Sequence, residues 1–569
     1  MTGLSRARLA DFVVLIGLGV FAFLCTYEAG QRGFFAYDQS IVFDGGYRIV
    51  SGQVPYKDFL LWTGPITYIL QALFFRWLGV NYAAYLASAG VFNAVAAFLA
   101  VALTRLVFPS RRLLSYGAGL VTAIWFYPPF GTFAAEQTAF FFSLAALWLT
   151  VWAVRLPPGA RLASPALACG AGVLAVVAVL SKQHAGMYML PLYPFAFLVA
   201  DGSDHRRLMT HGASFTLGII LSLLALWWWL WAASDAHNFV RYVLTIPGEL
   251  GWARIFRKGI RGLLKAFLIG VGPRTIRPVV VGMEITSFVA VWMLLRAAKG
   301  TRQTVRIEML ACLICAYLTH FQHVLTYTMD NQSINGLPFV GVIVAMGLGL
   351  LQSAWPVLQS GWLARAPAAG ARIAQAAAIA AVFLSISVPS AVGMRVSFDR
   401  EAHDLFRQST FPRRIDVPGW RPLRWGQPTV LHGVEIREAD VVRLYRELTA
   451  RGRNFFIFPD FTIFYGLTGR PSPQPLVTFN KGLTYPARYD PALDAWMVRA
   501  LEQHQVEIVV LEEVSFRDAG NSREMLREFP KVEAYLKDEF RESGRIGIFT
   551  IYEKRALKAE AAHTQRNTS

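Results

Sequence analysis

Charged side chains are scarce in this chain, at 16% of its 569 residues, where soluble globular domains carry about 25%. With 54% apolar or aromatic residues and a mean hydropathy of +0.40, that deficit excludes an ordinary soluble protein. Much of the chain must be solvated by lipid. Cysteine is scarcer still. Of Cys25, Cys169, Cys312 and Cys315, none lies beyond residue 394, so disulfides do not hold the C-terminal part together. Cys312 and Cys315 have metal-ligand spacing but sit in an apolar run with no second pair, which reads as packed thiols rather than zinc ligands. No small-residue cleavage pattern follows the first apolar run, Phe12 to Leu24, so that run reads as a retained first span. No Walker-type or dinucleotide glycine motif occurs in the C-terminal part, and no nucleotide or redox cofactor is indicated.

The charge that is present is lopsided, with a formal net of +18. Residues 1–394 hold 28 Lys and Arg against 13 Asp and Glu, while residues 395–569 hold 27 against 24. The excess sits in short loops of the apolar part, as positive-inside bias requires, so nucleic acid is not needed as a partner. About 11 spans are expected, near 10–27, 82–107, 113–130, 135–154, 165–182, 185–200, 212–233, 278–296, 308–328, 336–352 and 373–394. Arg111-Arg112, Arg155 with Arg161, Arg206-Arg207, Arg296 with Lys299 and Arg302, and Arg365 with Arg372 then share one face. That face is the cytoplasmic one, together with the N-terminus and its Arg6 and Arg8, and the odd count puts the C-terminal part outside. The stretch from Thr63 to Leu78, broken by Gly64-Pro65, is short for a crossing and reads as a helix lying at the outer interface.

Beyond residue 394 the character changes. Short β-branched and aromatic runs at 455–458, 508–511 and 546–552 alternate with helical patterns near 437–451, 490–505 and 521–542. That alternation predicts a small α/β domain. The expected fold class is therefore a polytopic α-helical membrane protein, residues 1–394, followed by an extracytoplasmic α/β domain, residues 395–569.

The acids of the membrane part are unevenly placed. Asp38, Asp44 and Asp58 fall in the first outward loop, residues 28–80, with Glu28 at its start. Glu136 opens the fourth span on the same side, and Asp235, Glu249 and Asp330 are also outward. Carboxylates at a low-dielectric boundary are costly unless solvated, paired or metal-bound, so the cluster marks a candidate site. Asp38 and Asp44 are six apart and would point to different faces of one helix. The plainer reading is a solvated loop in which Asp44-Gly45-Gly46 makes a turn. His320 and His323 share a helix face and read as polar contacts between helices. Trp227, Trp228, Trp229 and Trp231 read as an interfacial belt. The cations from Arg241 through Arg254, Arg257, Lys258, Arg261 and Lys265 to Arg274 and Arg277 make either a solvated amphipathic helix or a platform for anionic headgroups.

The first loop reads Tyr37-Asp38-Gln39-Ser40, then Asp44-Gly45-Gly46, then Lys57-Asp58, followed by Gly64-Pro65-Ile66-Thr67-Tyr68 and Trp77-Leu78-Gly79. In that order it resembles the first outer loop of C-type (GT-C) glycosyltransferases, in particular bacterial aminoarabinose transferases and protein O-mannosyltransferases. Ser181-Lys182-Gln183-His184-Ala185-Gly186 through Pro191 is similar to their Lys-Gly-Pro segment, and Glu136 to an acid that opens their fourth span. Two positions depart from the pattern. Gln39 stands where a second acid is usual, and Trp62-Thr63 stands where the aminoarabinose transferases have Glu-Lys.

The resemblance implies an inverting glycosyltransferase. It would move a sugar from a polyprenyl phosphate carrier to a lipid, glycan or protein hydroxyl, at the outer face of a bacterial inner membrane. Asp38 is the implied base, with Glu136 and Asp44 holding acceptor or metal. Lys182 is the first phosphate partner and Lys57 the second, with Asp58, Gln183 and His184 completing the substrate-binding set. A divalent metal stays open, on Asp38, Asp44 or Asp58. Two rivals also stay open. A transporter or flippase of lipid-linked saccharide would need charges deep in several spans and internal repeats, yet only Glu284 reads as deep and no repeat is found. A non-catalytic membrane scaffold leaves the loop acids without a purpose.

Overall fold

The computed structural model describes residues 6–157, 162–201, 204–253, 337–360, 368–400, 410–427, 434–516 and 520–555, with a few isolated positions between them. All of the span expected at 308–328 and most of that at 278–296 lie outside the described residues. So do Glu284, Cys312, Cys315, His320, His323, Asp330, the loop cations Arg161, Arg296, Lys299, Arg302 and Arg365, and the basic stretch from Arg254 to Arg277. By its contacts the chain forms two units. One comprises 1–30, 87–226 and 254–403, and the other 31–86, 227–253 and 404–569.

Unit one is helical. Five described helices are long and apolar enough to cross a bilayer, lying at Arg8–Gly30, Tyr82–Val107, Ala135–Arg155, Ala163–Ser181 and His205–Ala232. At 1.5 Å per residue even the shortest, at 19 residues, spans about 29 Å, the thickness of the hydrocarbon core. The protein is thus a polytopic membrane protein. In chain order the helices of the first 232 residues are α1 (Arg6–Gly30), α2 (Ala36–Val50), α3 (Ile66–Leu78), α4 (Tyr82–Val107), α5 (Arg112–Trp125), α6 (Ala135–Arg155), α7 (Ala163–Ser181), α8 (Gln183–Met187), α9 (Leu192–Asp201) and α10 (His205–Ala232), of which α2 and α3 belong to unit two. Helices Val340–Ser360 and Ala368–Phe398 follow. With 13 residues, α3 reaches only about 20 Å and is too short to cross.

Small residues let these helices approach closely, since lipid offers no hydrophobic drive between them. A Cβ on Gly172 of α7 would lie 2.2 Å from the Phe215 carbonyl oxygen of α10, and one on Gly218 would lie 2.1 Å from that of Cys169. The two helices therefore touch backbone to backbone. Asp11 of α1 receives both Arg105 of α4, at 2.5 and 2.9 Å, and the Tyr116 hydroxyl of α5. The sixth expected span, 185–200, is two helices instead of one. Between α8 and α9 the chain turns through residues 188–191, and Pro191, which lacks an N–H and fixes φ, suits the entry to a helix rather than its interior.

Unit two gathers three distant segments around one core. Leu60 and Tyr242 are buried with Phe458, Leu476, Met497 and Val509. Its strands are β1 (Phe455–Phe458), β2 (Ile508–Glu512), β3 (Ser515–Phe516), β4 (Gly520–Asn521), β5 (Phe540–Ile546) and β6 (Phe549–Lys554). The main sheet runs β1-β2-β6-β5, with β1 and β2 parallel and the other pairs antiparallel. Every residue of β1 and β2 is buried, so these strands read as apolar runs rather than alternations. Helix Pro491–Gln503 precedes β2, and its Asp490 caps it by accepting from Ala492 and Leu493 N–H. The helical pattern expected at 521–542 splits into Ser522–Arg527 and Pro530–Glu539 and then becomes strand β5. Pro530 starts the second helix, and the buried Asp494 carboxylate accepts its Lys531 and Val532 N–H groups, satisfying donors that a helix start leaves open.

Candidate functional site

The acidic first loop is helical at its start. Helix α2 carries both Asp38, in its first turn, and Asp44. Phe35 precedes the helix with no side-chain cap of its own, and its N–H donates to Gln39 Oε1 at 2.8 Å. Gln39, standing where the resemblance would put a second acid, thus satisfies an open donor at the helix start. Asp38 is half-buried at the helix end where a carboxylate is favoured by the dipole.

Asp44 is not in a turn. Its neighbours Gly45 and Gly46 lie mid-helix, where a Cβ on Gly45 would meet Tyr68 Cδ1 at 2.3 Å and one on Gly46 would meet Gln71 Cγ at 2.8 Å. The glycines let α2 lie against α3. Asp44 is fully buried, with Oδ2 receiving Arg48 Nε at 2.8 Å and Oδ1 receiving the Ser472 hydroxyl at 2.6 Å. Arg48 Nη1 in turn donates to the Gln474 carbonyl at 2.7 Å. Burial pushes the Asp44 carboxyl up, against the pull of Arg48 and Ser472. This set fastens α2 to residues 472–474, and it holds Asp44 away from Asp38 on another face, as their spacing requires.

Asp38 instead keeps company that sequence reasoning missed. Asp460 follows β1 and Glu512 ends β2, so both sit at the carboxyl ends of parallel strands, where open α/β sheets place their ligands. Glu512 Oε1 accepts the N–H groups of Asp460 at 2.8 Å and Phe461 at 2.7 Å. Asp460 is 5% exposed, and its Oδ1 has no hydrogen-bond partner. Burial first, then the charges of Glu512 and Asp38, push the Asp460 carboxyl far above the usual range. Burial pushes Glu512 up to about 7, against its two N–H bonds. Those bonds favour the ionised form of Glu512, whereas burial and both neighbouring charges favour the neutral form of Asp460. The signal was present in the sequence, since Glu512 directly follows the apolar run 508–511 and Asp460 comes one residue after the run 455–458.

A folded pKa raised above the unfolded value contributes stability that is fully present below the unfolded pKa and lost as pH rises through the folded one. For Glu512 that window runs from about 4.5 to about 7. Glu512→Gln keeps an acceptor for both N–H groups and removes the ionisation. We expect the variant to be more stable than wild type at pH 8, by on the order of 3 kcal/mol and with a higher melting temperature, and to match it at pH 4.5. Equal melting at both pH values would refute this assignment.

Lys57 and Asp58 are exposed. Asp58 Oδ2 accepts the Val54 N–H at 2.7 Å, closing a tight turn, and neither residue joins Asp38. Among the described residues no group of three or more His, Cys, Asp or Glu is arranged to hold a metal ion, and Asp44 and Asp58 are both committed to other partners. Near the belt tryptophans, Trp227, Trp228 and Trp231 are exposed, while Trp229 meets the Tyr56 ring edge-on.

In unit one, Glu136 and Lys182 come together. Glu136 lies in the first turn of α6, Lys182 ends α7, and the ammonium and carboxylate form an ion pair with about a tenth of each side chain exposed. Gln183 and His184 follow on α8, both half-buried. Gly186 makes that corner. A Cβ there would meet the backbone of Val179 at 2.4 and 2.5 Å, and rigid backbone cannot yield. Gly186→Ala is therefore expected to displace α8 and to destabilise the protein by roughly 2 kcal/mol, within the range for overpacking, measured as a lower melting temperature in detergent.

Spanning helices, two short helices after the first of them, and a sheet module beyond them make up a fold that this chain shares with solved structures. The chain is similar to the crystal structure of ArnT from Cupriavidus metallidurans bound to undecaprenyl phosphate, with TM-score 0.50, 11% identity, and coverage of 95% of this chain and 98% of that one. It is similar to the same protein in the apo state at TM-score 0.50 and 12% identity, covering 96% and 98%. A weaker likeness, at TM-score 0.43 and 13% identity, extends to arabinofuranosyltransferase AftD from Mycobacteria and covers 97% of this chain and 40% of that one. No family model matches the chain, and no curated protein matches it.

Proposed function

We propose that this chain is an inverting glycosyltransferase that takes its sugar from a polyprenyl phosphate carrier at the outer face of the inner membrane. The observation that carries the reading is the fold shared, over nearly the full length of both chains, with a protein captured on undecaprenyl phosphate. The acceptor hydroxyl gives its proton to Asp38, and its oxygen attacks the anomeric carbon. The bond from that carbon to the phosphate oxygen breaks, and polyprenyl phosphate leaves with the electron pair. Asp38 suits this role as a half-buried acid at a helix start, near Asp460, whose neutral form burial favours. Asp44 acts by fixing α2 rather than by touching substrate. About 11 spans, a cytoplasmic N-terminus and an extracytoplasmic C-terminal domain follow from the positive-inside pattern.

The test is transfer by the purified chain in liposomes supplied with radiolabelled polyprenyl phosphate-linked sugars and a cell-envelope fraction. Label should move to the acceptor fraction as free polyprenyl phosphate appears. Protein that moves label across the bilayer without transferring it would contradict the reading.

A further inference from the structure

We propose that the soluble part of unit two contains a binding site for a negatively charged saccharide, in the cavity formed by residues 481–490 and 527–530. The cavity measures about 230 Å³, room for a single sugar ring. Tyr489 lines it with 53% of its surface exposed, yet the ring is held in place. Its hydroxyl donates to Asp494 Oδ2 at 3.0 Å, the carboxylate that caps helix Pro530–Glu539. A large aromatic ring fixed in position and left open to solvent is the flat, low-entropy surface on which a sugar face can stack.

The charges around the cavity do not balance. Glu528 accepts Tyr485 hydroxyl at 2.8 Å and Lys481 Nζ at 3.0 Å, and Asp490 is paired with Arg241 at 2.6 Å. Both lining acids are thereby neutralised. Arg488 and Arg527 line the same cavity, are exposed, and have no ion-pair partner among the described residues. Two open guanidinium forks beside a rigid tyrosine match a carboxylate or phosphate carried on a sugar. An uncharged saccharide would leave both forks unmatched. Taken with the transfer reading, on which only this extension rests, the ligand is an acidic acceptor glycan.

Isothermal titration of the full chain in detergent tests the site without any donor present. The probes are a glucuronate-containing disaccharide, glucose 6-phosphate and an uncharged disaccharide. The charged probes should bind at least about tenfold more tightly than the uncharged one, and the tighter of the two identifies the anion. Arg488→Ala with Arg527→Ala should weaken that binding by about tenfold or more, as should Tyr489→Ala, whereas Asp38→Asn should bind as wild type does. Loss of transfer and loss of binding are thus separable. Both arginines are exposed, so the double variant should keep the wild-type melting temperature and decides the matter if Tyr489→Ala misfolds. Absence of binding at millimolar charged probe, equal binding of the uncharged disaccharide, or unchanged binding by the arginine double variant would each overturn the proposal.

Discussion

Replacing Asp44 with alanine is expected to cost about 3–5 kcal/mol of stability, the range seen when one partner of a buried ion pair is removed. The Arg48 guanidinium it leaves behind has 1% of its side chain exposed and keeps a hydrogen bond from Nη1 to the Gln474 carbonyl. Ser472 loses its acceptor as well. Because α2 is attached to residues 472–474 through this set, the loss should appear as a lower melting temperature and as protease sensitivity of the first loop. Asp44→Ala combined with Arg48→Met should recover much of the loss, since a buried pair can be exchanged for apolar packing at little net cost. A single variant that melts like wild type would show that the pair does not hold the helix. The result also separates the two acids of α2, because Asp44 is expected to matter for folding and Asp38 for turnover.

The legible parts of this molecule were those governed by local pattern. The five long apolar helices fall where runs of lipid-soluble residues predicted them, and β1, β2 and β6 fall within or beside the apolar runs at 455–458, 508–511 and 546–552. Helices Glu438–Arg451 and Pro491–Gln503 match patterns read within a residue or two. Legibility failed where a long-range contact decides the local structure. Asp44-Gly45-Gly46 has the composition of a turn, yet it lies mid-helix with both glycines against α3. Asp38 was recognisable as an acid at a membrane boundary, but its neighbour Asp460 lies more than 400 residues away in sequence. No periodicity links such positions. Glu136 and Lys182 were each singled out alone, and the ion pair between them depends on how α6 packs against α7 and α8.

The second large effect is kinetic. Asp38→Asn preserves the size of the side chain and its place in the first turn of α2 while removing the ability to accept a proton. General acid–base groups contribute about 10²–10⁴-fold to rate, so transfer should fall by that factor. Stability should stay close to wild type, because the substitution keeps the size of a side chain that is only half-buried. Donor binding should persist, which would place the loss in kcat rather than in KM. The decisive measurement is therefore the single-turnover rate of polyprenyl phosphate release, with sugar transfer followed in parallel, for wild type and Asp38→Asn at matched membrane insertion and melting temperature. The account predicts coupled release and transfer in wild type and a loss of at least about a hundredfold in the variant. A variant that releases polyprenyl phosphate and transfers sugar at the wild-type rate would contradict it.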